Sequence, residues 1–446
     1  MPIPIYEALR AQALCGRVPL HMPGHKGAMI NAFPPELAAI LPLDSTELPG
    51  TGNLFADQGA IREAEMLAAE LFGAADTLFS AGGSTLCIQA MLRCALPHGG
   101  KLLCGRVLHR AAADAFCLLS IEPIFLECDD SSSEYFPGRV TPQALTEALQ
   151  RHKDARAAYI TCPDYFGSLN DLTALAKICH AANIPLLVDA AHGAHLEFLN
   201  PASRAIMAGA DFVAQSAHKT LPALTGAAWL HLADTKYAES ARLAMRAFGS
   251  SSPSFPILLS LDCAREWLAV HGRHKLAQLS VRVMNTKSLL AKLGFHQPLG
   301  ETDPLRIAFT TQNDYDVGTF LRRCGIEPEY AEHGKVILIP SVANGTEDFV
   351  RLDAALHNLA KQLPDCANFA PQFSNHKLPR RALSPREAFM AYSKSVPIIH
   401  AEGKISAQNI IPCPPAIPIV LAGEEVNDEV ILNLSQNGID KICVSE

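Results

Sequence analysis

Directly after the strand-like run DFVAQ (211–215), the chain reads QSAHKTLPALTG (215–226). A lysine at a strand end, beside a histidine and ahead of a proline-interrupted turn, is an odd place for a solvated surface lysine. Partial burial lowers the pKa of an ammonium and makes Lys219 suited to imine formation with an aldehyde; the plainer alternative is a lysine flanking a turn. One strand–helix–strand step upstream, IPLLVDAAHGAHLEF (184–198) puts Asp189 at the carboxyl end of an apolar, β-branched strand. Open α/β sheets take their ligands beyond those ends.

Working outward, short apolar runs alternate with helix-length amphipathic stretches from about residue 60. The apolar spacing predicts a helix over 61–72, stopped by Gly73. TLFSAGG (77–83) reads as a strand entering a glycine turn, and STLCIQAMLRCAL (84–96) as the next helix. Further strands are expected at 101–104, 123–127, 157–161, 185–189, 211–215 and 227–232, with helices such as 141–151 and 171–182 between them. That order indicates an α/β domain with a mostly parallel sheet. After about residue 265 the pattern changes. A long helical stretch (263–293) precedes LRIAFT (305–310) and KVILIP (335–340), which suggests a smaller α+β domain. Residues 364–385 read as a linker, and the four prolines of IIPCPPAIPIVLAGEE (410–425) exclude a helix interior there. The expected division is 1–265, 266–363 and 380–446.

The 446 residues are 49% hydrophobic and 18% charged, which excludes global disorder. With 37 Lys and Arg against 45 Asp and Glu, the net charge of −8 argues against a nucleic-acid partner. No apolar run is long enough for a membrane span, and MPIPIYEALRAQALCGR lacks a signal-peptide pattern. The 13 cysteines include no C-x-x-C pair, so the expected address is a reducing cytoplasm without a disulfide framework.

FSAGGSTLCIQAML (79–92) places Ser84 and Thr85 at a helix start, where free backbone N–H groups and hydroxyls bind phosphate; a plain N-cap is the alternative. It is no Walker loop, and GTGNLF (50–55) is no dinucleotide fingerprint. An imine-forming Lys219, an Asp189 that can hold a proton on a ring nitrogen, and a phosphate site together meet the needs of pyridoxal phosphate. His109 is placed to stack on an aromatic ring, or to be an ordinary loop histidine. His21 and His25 are four apart, but Pro23 and Gly24 exclude the helix that zinc ligation at that spacing requires. A metal hydrolase built on Asp189, His192, His195 and His218 is the third-class alternative. The reading adopted has no metal.

In order, HMPGHKGA (21–28), DSTELPG (44–50), AGGSTLCI (81–88), VDAAHGAH (188–195), SAHKTLPALTG (216–226) and GKISAQNIIPCPPAIPIVLAGEE (403–425) resemble the Orn/Lys/Arg decarboxylases in their short form. The resemblance implies the aspartate-aminotransferase-like pyridoxal-phosphate fold, a C-terminal decarboxylase domain, and a homodimer with shared active sites. It implies decarboxylation of a basic amino acid, lysine or arginine first and ornithine next, within polyamine metabolism. By motif, Lys219 would carry the cofactor, His218 would sit beside it, and Asp189 would pair with the pyridinium nitrogen. His109 would stack on the ring, Ser84, Thr85 and Ser216 would bind the phosphate, and His192 would join the cofactor pocket. Ser252 in SSSPS (250–254) would reach the neighbouring subunit's phosphate.

A cationic substrate needs a carboxylate partner. The candidates are Asp44 and Glu47, expected to share a helical turn, and Glu402, with His21 and His25 nearby in the motifs. The chain departs from the usual family wording at Gly50–Phe55, Ala190–Ala191, Thr225–Gly226 and Cys413–Ala416. Those departures keep open another pyridoxal-phosphate reaction (aminotransferase or aldolase) or a cofactor-binding protein of low activity.

Overall fold

The computed structural model describes residues 2–28, 33–129, 136–199, 204–312, 315–363, 378–413 and 416–445. Most of the expected linker (364–377), and Pro414 and Pro415, lie outside them. Ile61, Ala64, Ala68 and Phe72 recur at helical spacing and are buried on one face of helix Ala60–Phe72. Gly73 ends that helix at φ 69, a conformation glycine adopts without strain. Thr141 and Asp171 cap Pro142–Arg151 and Leu172–Ala181 by accepting from Ala144 and Ala174 N–H.

The described strands are β1 (Asp76–Ser80), β2 (Gly100–Cys104), β3 (Ile121–Phe125), β4 (Ala157–Thr161), β5 (Leu186–Asp189), β6 (Phe212–Ser216), β7 (Ala228–Leu232), β8 (Ile307–Thr310), β9 (Tyr330–Glu332), β10 (Lys335–Leu338), β11 (Ser393–Pro397) and β12 (Lys441–Ser445). The first seven lie within a residue or two of the expected runs. The long helical stretch begins earlier than expected, at Phe255, because Pro256 suits a first turn. It runs as Phe255–Trp267, a π-turn Leu268–Gly272 and Arg273–Lys292.

The chain divides into two compact units, Met1–Cys94 with Gly193–Leu276, and Ala95–His192 with Ala277–Glu446. In the first, β7 lies between β1 and β6 and runs antiparallel to both. Ala228 faces Ser80 on one side and Ser216 on the other, so β1 and β6 run the same way and end level. Phe72 packs on Trp229 with ring centroids 5.0 Å apart. Ile5 N–H donates to Asp262 Oδ2 (3.1 Å), and Arg265 Nη2 donates to Pro2 O (2.7 Å), tying helix Pro4–Leu14 to Phe255–Trp267.

In the second unit, β5, β4, β2 and β3 lie side by side in that order, all parallel. Leu102, Leu103, Tyr159, Ile160, Leu187 and Val188 are fully buried, as unbroken apolar runs in parallel strands should be. β8, β10 and β9 form a small antiparallel sheet with β10 central. β9 was not legible in the sequence, being three residues, two half-buried and one exposed. The antiparallel pair β11–β12 and helix Asp428–Gln436 enclose a core of Val420, Val426, Leu434, Ile442 and Val444. Arg106 Nη2 holds buried Glu424 Oε2 at 2.8 Å. No helix among the described residues is long and apolar enough to cross a membrane.

Candidate active site

In the first unit, β1 delivers Ser80 to the turn before helix Gly83–Ala95. Ser80 Oγ accepts from Gly82 N–H (3.1 Å) and donates to Gly83 O (2.9 Å), which closes the turn. Gly83 sits at φ 68, where a side chain would be strained, and its N–H donates to Gly226 O at 2.8 Å. Because β1 and β6 end level, buried Ser216 meets buried Ser84: Ser216 Oγ donates to Ser84 Oγ at 2.8 Å. Thr85 follows, exposed. Hydroxyls at a helix N-terminus with free amides make a receptor for an anion.

β6 runs straight into the single turn Ala217–Thr220, which carries His218 and Lys219, both half-buried. His218 Nδ1 donates to Ala227 O (3.0 Å), so in the neutral ring Nε2 holds the lone pair. Thr220 buries a hydroxyl with no hydrogen-bond partner among the described residues. In the same unit His195 is buried in the turn Ala194–Phe198. Ser252 is exposed, its N–H on Ser250 Oγ.

In the second unit, β5 ends at Asp189, opposite Thr161 of β4. Asp189 is 1% exposed. Its Oδ2 accepts from the Tyr159 hydroxyl (2.9 Å) and its Oδ1 from Ala191 N–H (3.0 Å). Burial, reinforced by the Asp189 charge, pushes the Tyr159 phenol well above its ordinary range, so Tyr159 stays a donor. His109 caps helix Arg110–Leu119: its Nδ1 accepts from Ala111 N–H (3.1 Å), which leaves the ring proton on Nε2. Buried His192 has Arg306 Nη2 at 3.0 Å from Nδ1 and Tyr165 edge-on at 5.2 Å.

The substrate carboxylates depart from expectation. Asp44 and Glu47 share no helical turn, because the helical turn Leu41–Leu43 stops at Asp44, which is extended, and residues 45–48 do not resume it. His25 Nδ1 accepts from Gly27 N–H, and its Nε2 donates to Asp44 Oδ2 (3.1 Å). Glu47 Oε1 accepts from Leu54 N–H (3.1 Å). His21 Nδ1 donates to Met22 O. Glu402 is exposed in a turn with no hydrogen bond or ion pair among the described residues.

Sequence reading missed Ser80, Tyr159 and Arg306. Each has a weak signal: a polar or charged group inside an otherwise apolar run, DTLFS, AAYIT and LRIAF. The donor sets suit pyridoxal phosphate. One unit offers hydroxyls, helix amides and an amine for a phosphorylated aldehyde, and the other a fixed, buried carboxylate for a basic ring nitrogen.

Comparison with known proteins gives the same answer. Residues 3–311 match the family model of the Orn/Lys/Arg decarboxylase major domain, and 369–435 match that of its C-terminal domain. The chain is 31% identical to YaaO of Bacillus subtilis strain 168, an uncharacterized protein, over 98% of its own length and 94% of the relative's. It is 30% identical to the arginine decarboxylase of the same organism, over 97% and 93%. The solved lysine decarboxylase LdcF of Francisella novicida superposes with a TM-score of 0.82 at 18% identity, over 100% of this chain and 81% of that one, which shows a shared fold. The chain belongs to the Orn/Lys/Arg decarboxylase family, a family of pyridoxal-phosphate enzymes.

Proposed function

We propose that this chain releases the α-carboxylate of a basic amino acid as CO2, acting on arginine or lysine ahead of ornithine. The observation that carries the reading is Asp189, a carboxylate buried at a strand end and held by donors on both oxygens. When bound, pyridoxal phosphate supplies an electron sink for the pair left on Cα. Asp189 keeps a proton on the ring nitrogen, and Tyr159 keeps Asp189 in place. Lys219 is the covalent attachment point. Ser84, Thr85 and Ser216 bind the phosphate, with Ser252 reaching the phosphate of a neighbouring copy in a homodimer. His109 would pack against the ring, and His192 would offer a donor. His218 or Lys219 returns a proton to Cα.

The substrate's cationic end needs a carboxylate, since an unpaired buried charge costs several kcal/mol. Glu402 is the first candidate, because it has no partner among the described residues, whereas Asp44 and Glu47 each commit one oxygen locally. The cytoplasm is the proposed address. Carboxyl-labelled arginine, lysine and ornithine test the reading. Labelled CO2 with the matching amine supports it. A keto acid product would instead assign an aminotransferase, and no product from any of the three would leave a cofactor-binding protein.

A further inference from the structure

The Arg306 guanidinium is 2% exposed, and its Nε and Nη1 have no hydrogen-bond partner among the described residues. It stands immediately before Ile307, Ala308 and Phe309, all buried, in a run where another apolar residue would cost less. Room has been made for it. Gly167 sits at φ 93, and a Cβ there would come within 2.7 Å of Arg306 Cβ. The Tyr165 ring lies 5.9 Å from the guanidinium carbon and also packs edge-on against His192. What the side chain reaches is His192, three residues beyond Asp189, with Nη2 at 3.0 Å from Nδ1.

A guanidinium has only donors, so this contact reads one way: Arg306 donates and His192 Nδ1 accepts. Nδ1 therefore carries no hydrogen, and a proton added there would face the N–H of a cation. We infer that Arg306 is a positioning residue that holds His192 in one tautomer, with its single proton on Nε2. Around this pair stand the Asp303 and Asp164 carboxylates, the Lys287 ammonium, the Tyr165 phenol and Glu329, which accepts the Tyr165 hydroxyl at 2.8 Å. The carboxylate charges favour the cationic guanidinium against the burial that disfavours it. Resting on the cofactor reading above, the consequence is a fixed Nε2–H donor at His192 toward the bound cofactor. An unheld imidazole would switch between donor and acceptor there, and would be open to a second proton.

The test compares Arg306→Met, His192→Phe and the double variant. The readouts are pyridoxal-phosphate affinity of the reconstituted apo-protein and the pH dependence of the bound cofactor's absorbance. R306M should weaken affinity about tenfold, as loss of an orienting partner does, and add a pH-dependent step absent from the parent. In the H192F background it should change neither. Equal losses in both backgrounds, or an unchanged pH profile in R306M, overturn the inference. Should R306M not fold, nitrogen NMR of histidine-labelled apo-protein decides, with H192F assigning the signal. An unprotonated Nδ1 and protonated Nε2 support the tautomer, and the reverse overturns it. That spectrum stands whether or not Lys219 carries cofactor, so failure of the cofactor reading is told apart from failure of this one.

Discussion

The two units hold their polar groups in different ways. In the first, Thr85 is exposed, Lys219 and His218 are half-buried, and the hydroxyls of Ser84 and Ser216 bond each other. In the second, Asp189, Tyr159, His192 and Arg306 are all buried and bonded in pairs. The first arrangement suits groups that must meet a ligand, attach to it and release it. The second suits a charge that must stay in place while the chemistry happens. Phosphate affinity is therefore expected to depend on the first set, and turnover on the Asp189–Tyr159 pair of the second.

The largest expected effect comes from Asp189→Asn. An amide cannot keep a proton on a pyridine nitrogen, so turnover should fall roughly a thousandfold, the scale of losing a preorganised charge. Cofactor affinity should change little. Near-normal turnover by product assay would reduce Asp189 to a structural residue. The mirror experiment is the double variant Ser84→Ala, Ser216→Ala. Each hydrogen bond lost to a charged ligand group costs on the order of 1.5–3 kcal/mol, so affinity should drop at least tenfold while saturated turnover stays within a few-fold. A double variant that binds normally but turns over slowly would invert the comparison.

The smallest effect contrasts Asp189 with Glu197, one of the buried carboxylates of the first unit. Glu197 Oε1 accepts from Gln215 Nε2 at 3.2 Å. Gln215 in turn accepts from His231, whose other ring nitrogen meets the Thr77 hydroxyl. Burial pushes His231 down to about 3, so it stays neutral, and pushes Glu197 up to about 7 although Arg204 pulls the other way. A raised carboxyl favours the folded state fully below its unfolded value of about 4.5, and that gain is lost as pH rises through 7. Glu197→Gln cannot ionise. Its stability relative to the parent should be flat below pH 4.5 and climb between 4.5 and 7. Above pH 7 the gain should level off at a value on the order of 3 kcal/mol. Denaturation across pH checks this, and parallel curves would remove the buried charge from the account.

Much of this was legible in the sequence, for a physical reason. Helix Ala60–Phe72 and β1 to β7 announce themselves because apolar period and turn residues act locally. Lys219, Asp189 and Ser84 stand where strands end, which any strand reading locates. Tyr159 and Arg306 could not be found that way. Their partners lie 30 and 114 residues away, and only the register of β4 with β5 and the placement of β8 bring them together. The shared helical turn of Asp44 and Glu47 failed differently. Spacing of three implies one face only inside a helix, and the helical turn before them ends at Asp44, where the backbone is extended.

The measurement closest to the central claim is peptide mapping after borohydride reduction of the purified protein. The account predicts one pyridoxyl-modified peptide, with the label on Lys219. A label on another lysine with Lys219 unmodified, or no label in protein reconstituted with pyridoxal phosphate, would contradict it.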